Sequence, residues 1–199
     1  MIKTSPMLDI KKAISDLGGV SAVHVVADKN EVKELILIVN SSDDLSQEPL
    51  IHSVNFQGET PVSFSFDYKE EAAVGVELST IEEYLYEPNA SILKAGAFKS
   101  VAIEFGLRKL HANTHLYTST EVNLNFPGRV FRVLEKASLN KKQLRKVLPE
   151  MKANVTVRNY PMTVAQIRKK TGLKEGGDHY LIGFTDMSKA QVVLASRVH

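Results

Sequence analysis

The residues of this chain best equipped for chemistry are two spaced histidines, a scatter of glycines and a dense set of lysines and arginines. His111 and His115 stand four apart, the spacing that would put two imidazoles on one helical face for a metal. Their neighbours point elsewhere. Asn113-Thr114 and Leu116-Tyr117-Thr118 favour loop or strand, and no HExxH glutamate accompanies the pair, so solvated or backbone-bonded imidazoles are expected. The 11 glycines never form GxG, which removes both the dinucleotide fingerprint and an adenosylmethionine-type glycine loop. GxxxxGK[ST] and GxSxG are missing too. Asp178-His179 has no serine positioned by a motif. The absence of Cys excludes disulfides, thiolate zinc sites, iron–sulfur clusters and cysteine nucleophiles together. These residues supply no catalytic, metal or cofactor assignment.

The positive signal is charge. Residues 1–93 carry 6 Lys and Arg against 16 Asp and Glu, a balance of −10, whereas residues 94–199 carry 19 against 7, or +12. An asymmetry of this size, hidden in a net charge of +2, points to a polyanion meeting the back half, nucleic acid before others. In a helix expected over 141–148, Leu144, Val147 and Leu148 form a buried stripe, so Lys142, Arg145 and Lys146 project outward with Lys141 on the boundary. In a second helix over 163–171, Val164, Ile167 and Thr171 face inward, Lys169 and Lys170 point out, and Arg168 sits at the edge. In the strand between them, over 154–159, Val155 and Val157 share one face and leave Thr156, Arg158 and Tyr160 on the other. Lys174 and Gly176-Gly177 follow in a loop whose amides could approach a phosphate. The candidate nucleic-acid-binding set is therefore Lys142, Arg145, Lys146, Arg158, Tyr160, Arg168, Lys169, Lys170 and Lys174. The alternative is ordinary solvated helix faces. That suits any one of these residues, but random decoration would mix the signs.

The elements that must position these groups have a clear rhythm. Strand 129–135, helix 141–148, strand 154–159, helix 163–171 and the strands 179–185 and 191–198 give β-α-β-α-β-β, a compact α/β unit of about 70 residues. Upstream, 7–17 reads as a helix striped by Leu8, Ala13, Ile14 and Leu17 and ended by Gly18-Gly19. Strands 20–27 and 32–40 flank the hairpin turn Asp28-Lys29-Asn30-Glu31. Leu35-Ile36-Leu37-Ile38-Val39 is apolar on both faces, so that strand should be covered on both sides. Residues 41–49 read as an acidic loop, 51–56 and 62–68 as a second hairpin around Gly58-Glu59, and 70–83 as a solvated connector. Asn89 caps a helix expected to run to about residue 110, interrupted at Gly96 by a break or a close packing partner.

At 199 residues and 43% apolar composition the chain suits one sizeable domain or two small ones. No apolar run reaches a bilayer-spanning length, and Met1-Ile2-Lys3-Thr4-Ser5-Pro6 lacks the pattern of a secretory signal. The expectation is a cytoplasmic protein with no membrane contact.

Four motifs add a family resemblance. Lys3-Thr4-Ser5-Pro6-Met7-Leu8-Asp9, the block from Tyr84-Leu85-Tyr86-Glu87-Pro88-Asn89-Ala90 through Phe98-Lys99, Phe126-Pro127-Gly128-Arg129, and Val157-Arg158-Asn159-Tyr160-Pro161 form the set. Together they resemble bacterial class I S-adenosylmethionine-dependent methyltransferases that end in a THUMP-like domain. The resemblance covers nearly the whole chain. It implies an α/β (α+β) fold in three parts: residues 1–83 as the last strands of a Rossmann-like methyltransferase sheet with a hairpin extension, 84–128 as a ferredoxin-like insert, and 129–199 as a THUMP-like domain. The hairpin over 20–40 would supply the sixth and seventh strands of that sheet. The family's glycine-rich cofactor loop and acceptor-side motif should lie upstream of Met1.

By that likeness the chain is the C-terminal, RNA-recognising half of an S-adenosylmethionine-dependent RNA methyltransferase, cut from a longer protein or encoded separately. Its partners would be structured RNA (tRNA or rRNA) and the missing N-terminal half. S-adenosylmethionine would belong to the full-length enzyme, and this chain alone would be inactive. The competing expectation is a non-catalytic interaction protein whose basic half docks an acidic protein partner, or its own acidic half.

Overall fold

Lys29 and Asn30 take positive φ values of 49° and 65°, the pair of left-handed residues that a two-residue hairpin turn demands. That turn joins β2 (Val20–Asp28) to β3 (Glu31–Val39) in a computed structural model that describes residues 1–40, 48–58 and 60–199. Two units share the chain: Met1–Gly75 with Pro88–Glu104, and Val76–Glu87 with Phe105–His199.

In the first unit β1 (Ile2–Thr4), β4 (Leu50–Gln57) and β5 (Thr60–Asp67) complete a five-stranded sheet ordered β1-β3-β2-β4-β5. It is a mixed sheet, because β2 and β4 run parallel while every other pair is antiparallel. One face is the core. Val23, Val25, Leu35, Leu37, Ile51 and Phe66 are buried there, and α3 (Ala90–Ala95) packs across β2, β3 and β4. The other face is half-open, with Ile36 and Ile38 only partly covered, so β3 is covered on one side and not on both. The β4–β5 hairpin is present, with Gln57 opposite Thr60. Glu59 at its turn, and 41–47 of the acidic loop, lie outside the described residues.

Three helical expectations change. Helix α1 (Ile10–Leu17) begins only after Asp9, whose carboxylate accepts from Lys12 N, and it buries Ile10 and Ala13 while Leu8 and Leu17 stay exposed. The stretch 70–83 is more than a connector, since α2 (Tyr68–Ala73) occupies its start and buries Glu71. The long helix after Asn89 is really two. Gly96, at φ 87°, ends α3 in the left-handed conformation, and α4 (Ser100–Glu104) is a separate short piece.

The second unit is one seven-stranded sheet, ordered β10-β11-β12-β9-β6-β8-β7. Its strands are β6 (Tyr84–Pro88), β7 (Arg108–His111), β8 (Thr114–Ser119), β9 (Gly128–Ala137), β10 (Asn154–Arg158), β11 (His179–Thr185) and β12 (Ala190–Arg197). With α5 (Lys141–Val147) and α6 (Val164–Thr171), the stretch from β9 onward follows the expected β-α-β-α-β-β order. Parallel pairing of β10 with β11 makes this sheet mixed as well. Leu144, Leu148, Ile167, Leu181 and Leu194 form the core beneath α5 and α6, and Leu85, Leu110, Phe131, Ile182 and Val193 form a second cluster. The architecture is thus mixed α/β, with two mixed sheets and six helices among the described residues.

Candidate nucleic-acid interface

Helix α5 begins where Asn140 accepts hydrogen bonds from Lys142 N and Gln143 N. Leu144 and Leu148 anchor it, whereas Val147, expected in the buried stripe, is 37% exposed. The i, i+4 pair of leucines is enough to seat so short a helix. Lys141, Lys142, Arg145 and Lys146 together line a surface concavity of about 520 Å³.

Helix α6 starts with a capping box. Thr163 Oγ1 accepts from Gln166 N while the Gln166 side chain accepts from Thr163 N. Ile167 and Thr171 are fully buried, which turns Lys169 and Lys170 to solvent in the last turn, where cations suit the helix dipole. Gly172 closes the helix at φ 75°, and a Cβ there would sit 3.5 Å from Lys141 Cε. The two helices pack together, and Lys141, Lys142, Arg145, Lys146, Lys169 and Lys170 are all exposed on them. None of the six forms an ion pair among the described residues.

The arginines of the expected set are placed differently. Arg158 meets Glu87, whose side chain is 4% exposed and also holds Arg129. Arg129 binds Oε2 as an aligned hydrogen bond, while Arg158 approaches Oε1 as an ion pair and donates to its own Val157 carbonyl. Glu87 therefore ties β6, β9 and β10 together. Arg168 pairs with the exposed Glu175 at 3.2 Å. Arg108 with Glu82, and Arg132 with Glu83, repeat the pattern. Glu82, Glu83 and Glu87 come from the acidic front of the sequence but lie in the second unit. Redrawn along the units, the charge split shrinks: 8 cations against 13 acids (−5) in the first, 17 against 10 (+7) in the second. Part of the front's acidity is thus spent neutralising arginines in the back.

Tyr160 lies on the opposite side from the one its alternation predicts. Asn159 takes φ 49°, which breaks the strand's alternation and returns Tyr160 to the side of Val157. There its ring packs on the core under α5 and α6, so close to Gly183 that a Cβ would come within 3.1 Å of it. Burial raises its phenol pKa. Lys174 stays exposed, with its backbone holding Met151 and Ala153. Gly176 and Gly177, at φ 104° and 80°, form the loop that follows, and Gly177 O accepts from Asn154 Nδ2. His111 ends β7 and accepts from Asn113 N, while His115 lies in β8, so the two never share a helical face. No cluster of three metal-binding side chains occurs among the described residues.

Sequence reasoning left out two participants. Lys141, expected on the edge of the buried stripe, is exposed and packs beside Gly172. Glu87 carried a readable signal: a lone carboxylate inside the apolar run of β6 requires a buried partner.

Residues 128–197 match a THUMP domain-like family. Residues 84–127 match a ferredoxin-like domain family. The strands of both segments hydrogen-bond within the one seven-stranded sheet. No curated protein matches the chain. Among solved structures, the chain is similar to a protein from Porphyromonas gingivalis W83 described as a "putative methyltransferase", with 38% identity and a TM-score of 0.89. The match covers 99% of this chain and 50% of that one, so the chain spans half the length of the protein it resembles.

Proposed function

We propose that the THUMP-like part of this chain binds structured RNA, tRNA or rRNA, through phosphate contacts from the α5–α6 surface. The observation that carries this is the set of six exposed cations on two packed helices that form no ion pair among the described residues, in a region that matches a THUMP domain-like family. The division of labour among cations supports it. Arginine forks are used up on carboxylates, while five lysines and Arg145 remain free to meet a polyanion. Such contacts fix orientation without reading sequence. With about five phosphates neutralised, log K should fall with log salt at a slope of roughly −3 to −4.5. Filter binding of bulk tRNA and rRNA at several salt concentrations tests this, and a flat slope or no binding at low salt refutes it.

The finer reading is that the chain is the recognition half of an S-adenosylmethionine-dependent RNA methyltransferase acting in the cytoplasm. In that reading residues 1–83 are the end of a methyltransferase sheet, and a separate N-terminal half carries cofactor and chemistry. Similarity to a protein described as a "putative methyltransferase", twice this chain's span, supports it. The residues present do not themselves suit the cofactor. Gly18, Gly96 and Gly172 close helices, and none forms a glycine loop leading from a strand into a helix. No step of methyl transfer is therefore assigned to this chain, which is expected to be inactive alone.

Docking of an acidic protein partner on the same surface is the second reading. The internal pairing of Glu82, Glu83 and Glu87 with arginines elsewhere in this unit supports carboxylates as ligands for its cations. Competition separates the two: RNA should displace a polyglutamate probe, and failure to do so favours the protein partner.

A further inference from the structure

The first unit holds a concavity of about 450 Å³ that the RNA reading does not use. Its walls come from the start of α1, from α2, and from the end of α3 with the stretch that follows it. Lys11, Lys94 and Lys99 line it together with Tyr68, Leu93 and Phe98. Three lysines in one concavity are notable in a unit whose balance is −5.

The two carboxylates in the lining are already committed. Glu71, 8% exposed, accepts from Phe98 N, Lys99 N, Ser100 N and Ser100 Oγ at 2.7–3.1 Å. Asp9 caps α1. The lysines keep capacity to spare. Lys94 Nζ donates to Leu8 O, and Lys99 Nζ donates to Ala72 O and Val74 O, so each retains at least one of its three donors. Lys11 Nζ sits 4.6 Å from the centre of the Tyr68 ring, a cation–π contact, and forms no ion pair among the described residues.

Tyr68 is held rigidly for this role. Its hydroxyl donates to Ala95 O at 2.8 Å, and its ring meets Phe66 edge-on at 5.5 Å. What the concavity offers a ligand is therefore cationic donors beside an immobilised aromatic face. An anion joined to a flat ring fits that chemistry, and the volume is ordinary for a small-ligand site.

We propose that this concavity is a nucleotide subsite, with the base stacked on Tyr68 and the phosphate held by Lys11 and Lys94. A base sliding onto the ring displaces the Lys11 ammonium, which then turns to the phosphate. One cation–π contact is exchanged for a stack and a charge-assisted contact. The ligand is either a free mononucleotide or an unpaired nucleotide of an RNA strand. The proposal does not depend on the α5–α6 surface.

Titration of the full chain with AMP, adenosine and inorganic phosphate, followed by amide chemical shifts, tests it. AMP should shift residues around Lys11, Tyr68 and Lys94 and bind at least about tenfold more tightly than adenosine or phosphate. Lys11→Ala should weaken AMP about fivefold to tenfold and Tyr68→Leu at least about fivefold, while Tyr68→Phe, which keeps the ring, should stay within about twofold. A Lys142→Ala/Lys146→Ala variant should leave AMP binding unchanged, so RNA binding on α5–α6 can fail while this site stands, or the reverse. A short single-stranded oligonucleotide that displaces AMP identifies an RNA nucleotide as the occupant, and one that does not identifies a free nucleotide. Absence of binding at roughly 10 mM AMP, shifts confined to α5, or equal affinity for phosphate alone overturns the proposal.

Discussion

Removing the Glu87 carboxylate should cost the second unit much of its stability while leaving its outward lysines in place. Glu87 is 4% exposed and holds two guanidiniums, Arg129 at 30% and Arg158 at 39% exposure. Breaking one partner out of a buried pair costs about 3–5 kcal/mol, because the charges left behind stay desolvated. Here the stranded groups are the arginines, each about a third exposed, so water recovers part of that cost. The expected loss for Glu87→Ala is about 3 kcal/mol, and for the near-isosteric Glu87→Gln about 1–2 kcal/mol. At about 4 °C per kcal/mol for a unit of roughly 100 residues, Glu87→Ala should lower the melting temperature of the second unit by about 12 °C. Urea unfolding followed by tyrosine fluorescence measures the free energy, and a double-mutant cycle with Arg158→Ala isolates the pair. A coupling energy below about 0.5 kcal/mol, or a Glu87→Ala protein as stable as the parent, would refute the reasoning. The same experiment sorts cations by role. Arg158→Ala should lose stability and keep the salt slope of RNA binding, while Lys146→Ala should keep stability and flatten the slope by about 0.7–0.9.

Gly128→Ala should destabilise the second unit by about 3 kcal/mol or more, since the added Cβ would lie 2.1 Å from the Glu87 carbonyl oxygen, and a thermal melt reads it directly. Burial, and then the charge of stacked His24, hold the His52 pKa below its usual 6.5. The unfolded chain therefore takes up protons more readily, so the stability of the first unit should be complete above pH 6.5 and decline as pH falls below it, a slope that His52→Asn should reduce. The Tyr68 phenol is pushed up to about 12, by burial first and then by the charges of Asp9 and Glu71. Its contribution should be complete below pH 10 and lost between pH 10 and 12, which ultraviolet titration against Tyr68→Phe would show.

Local order was legible wherever the chain itself enforces it. The Asp28–Glu31 turn, the cap at Asn89 and the alternation of β-α-β-α-β-β follow from interactions between residues a few positions apart. The lysines of α5 and α6 were placed correctly for the same reason, because a helix turns its apolar stripe inward and its other residues outward. The four motifs that carried the family resemblance also proved to be physically linked in part. Glu87, Arg129 and Arg158, from three of them, meet in one ion-pair cluster.

What the tertiary structure alone decided was which charges remain available. Composition counted 19 cations in the back half as if they were equivalent. Folding brings Glu82, Glu83 and Glu87 beside arginines up to 71 positions away, and that pairs off Arg108, Arg129, Arg132 and Arg158 while leaving the lysines of α5 and α6 to solvent. Pairing at such separation depends on which strands become neighbours in a sheet, and no local pattern encodes it. Asn159 makes the same point over a single residue: one left-handed φ swings Tyr160 from an outward, stacking-competent position onto the core. The concavity around Tyr68 is likewise built from three separate stretches of chain, and only their packing brings its lysines together.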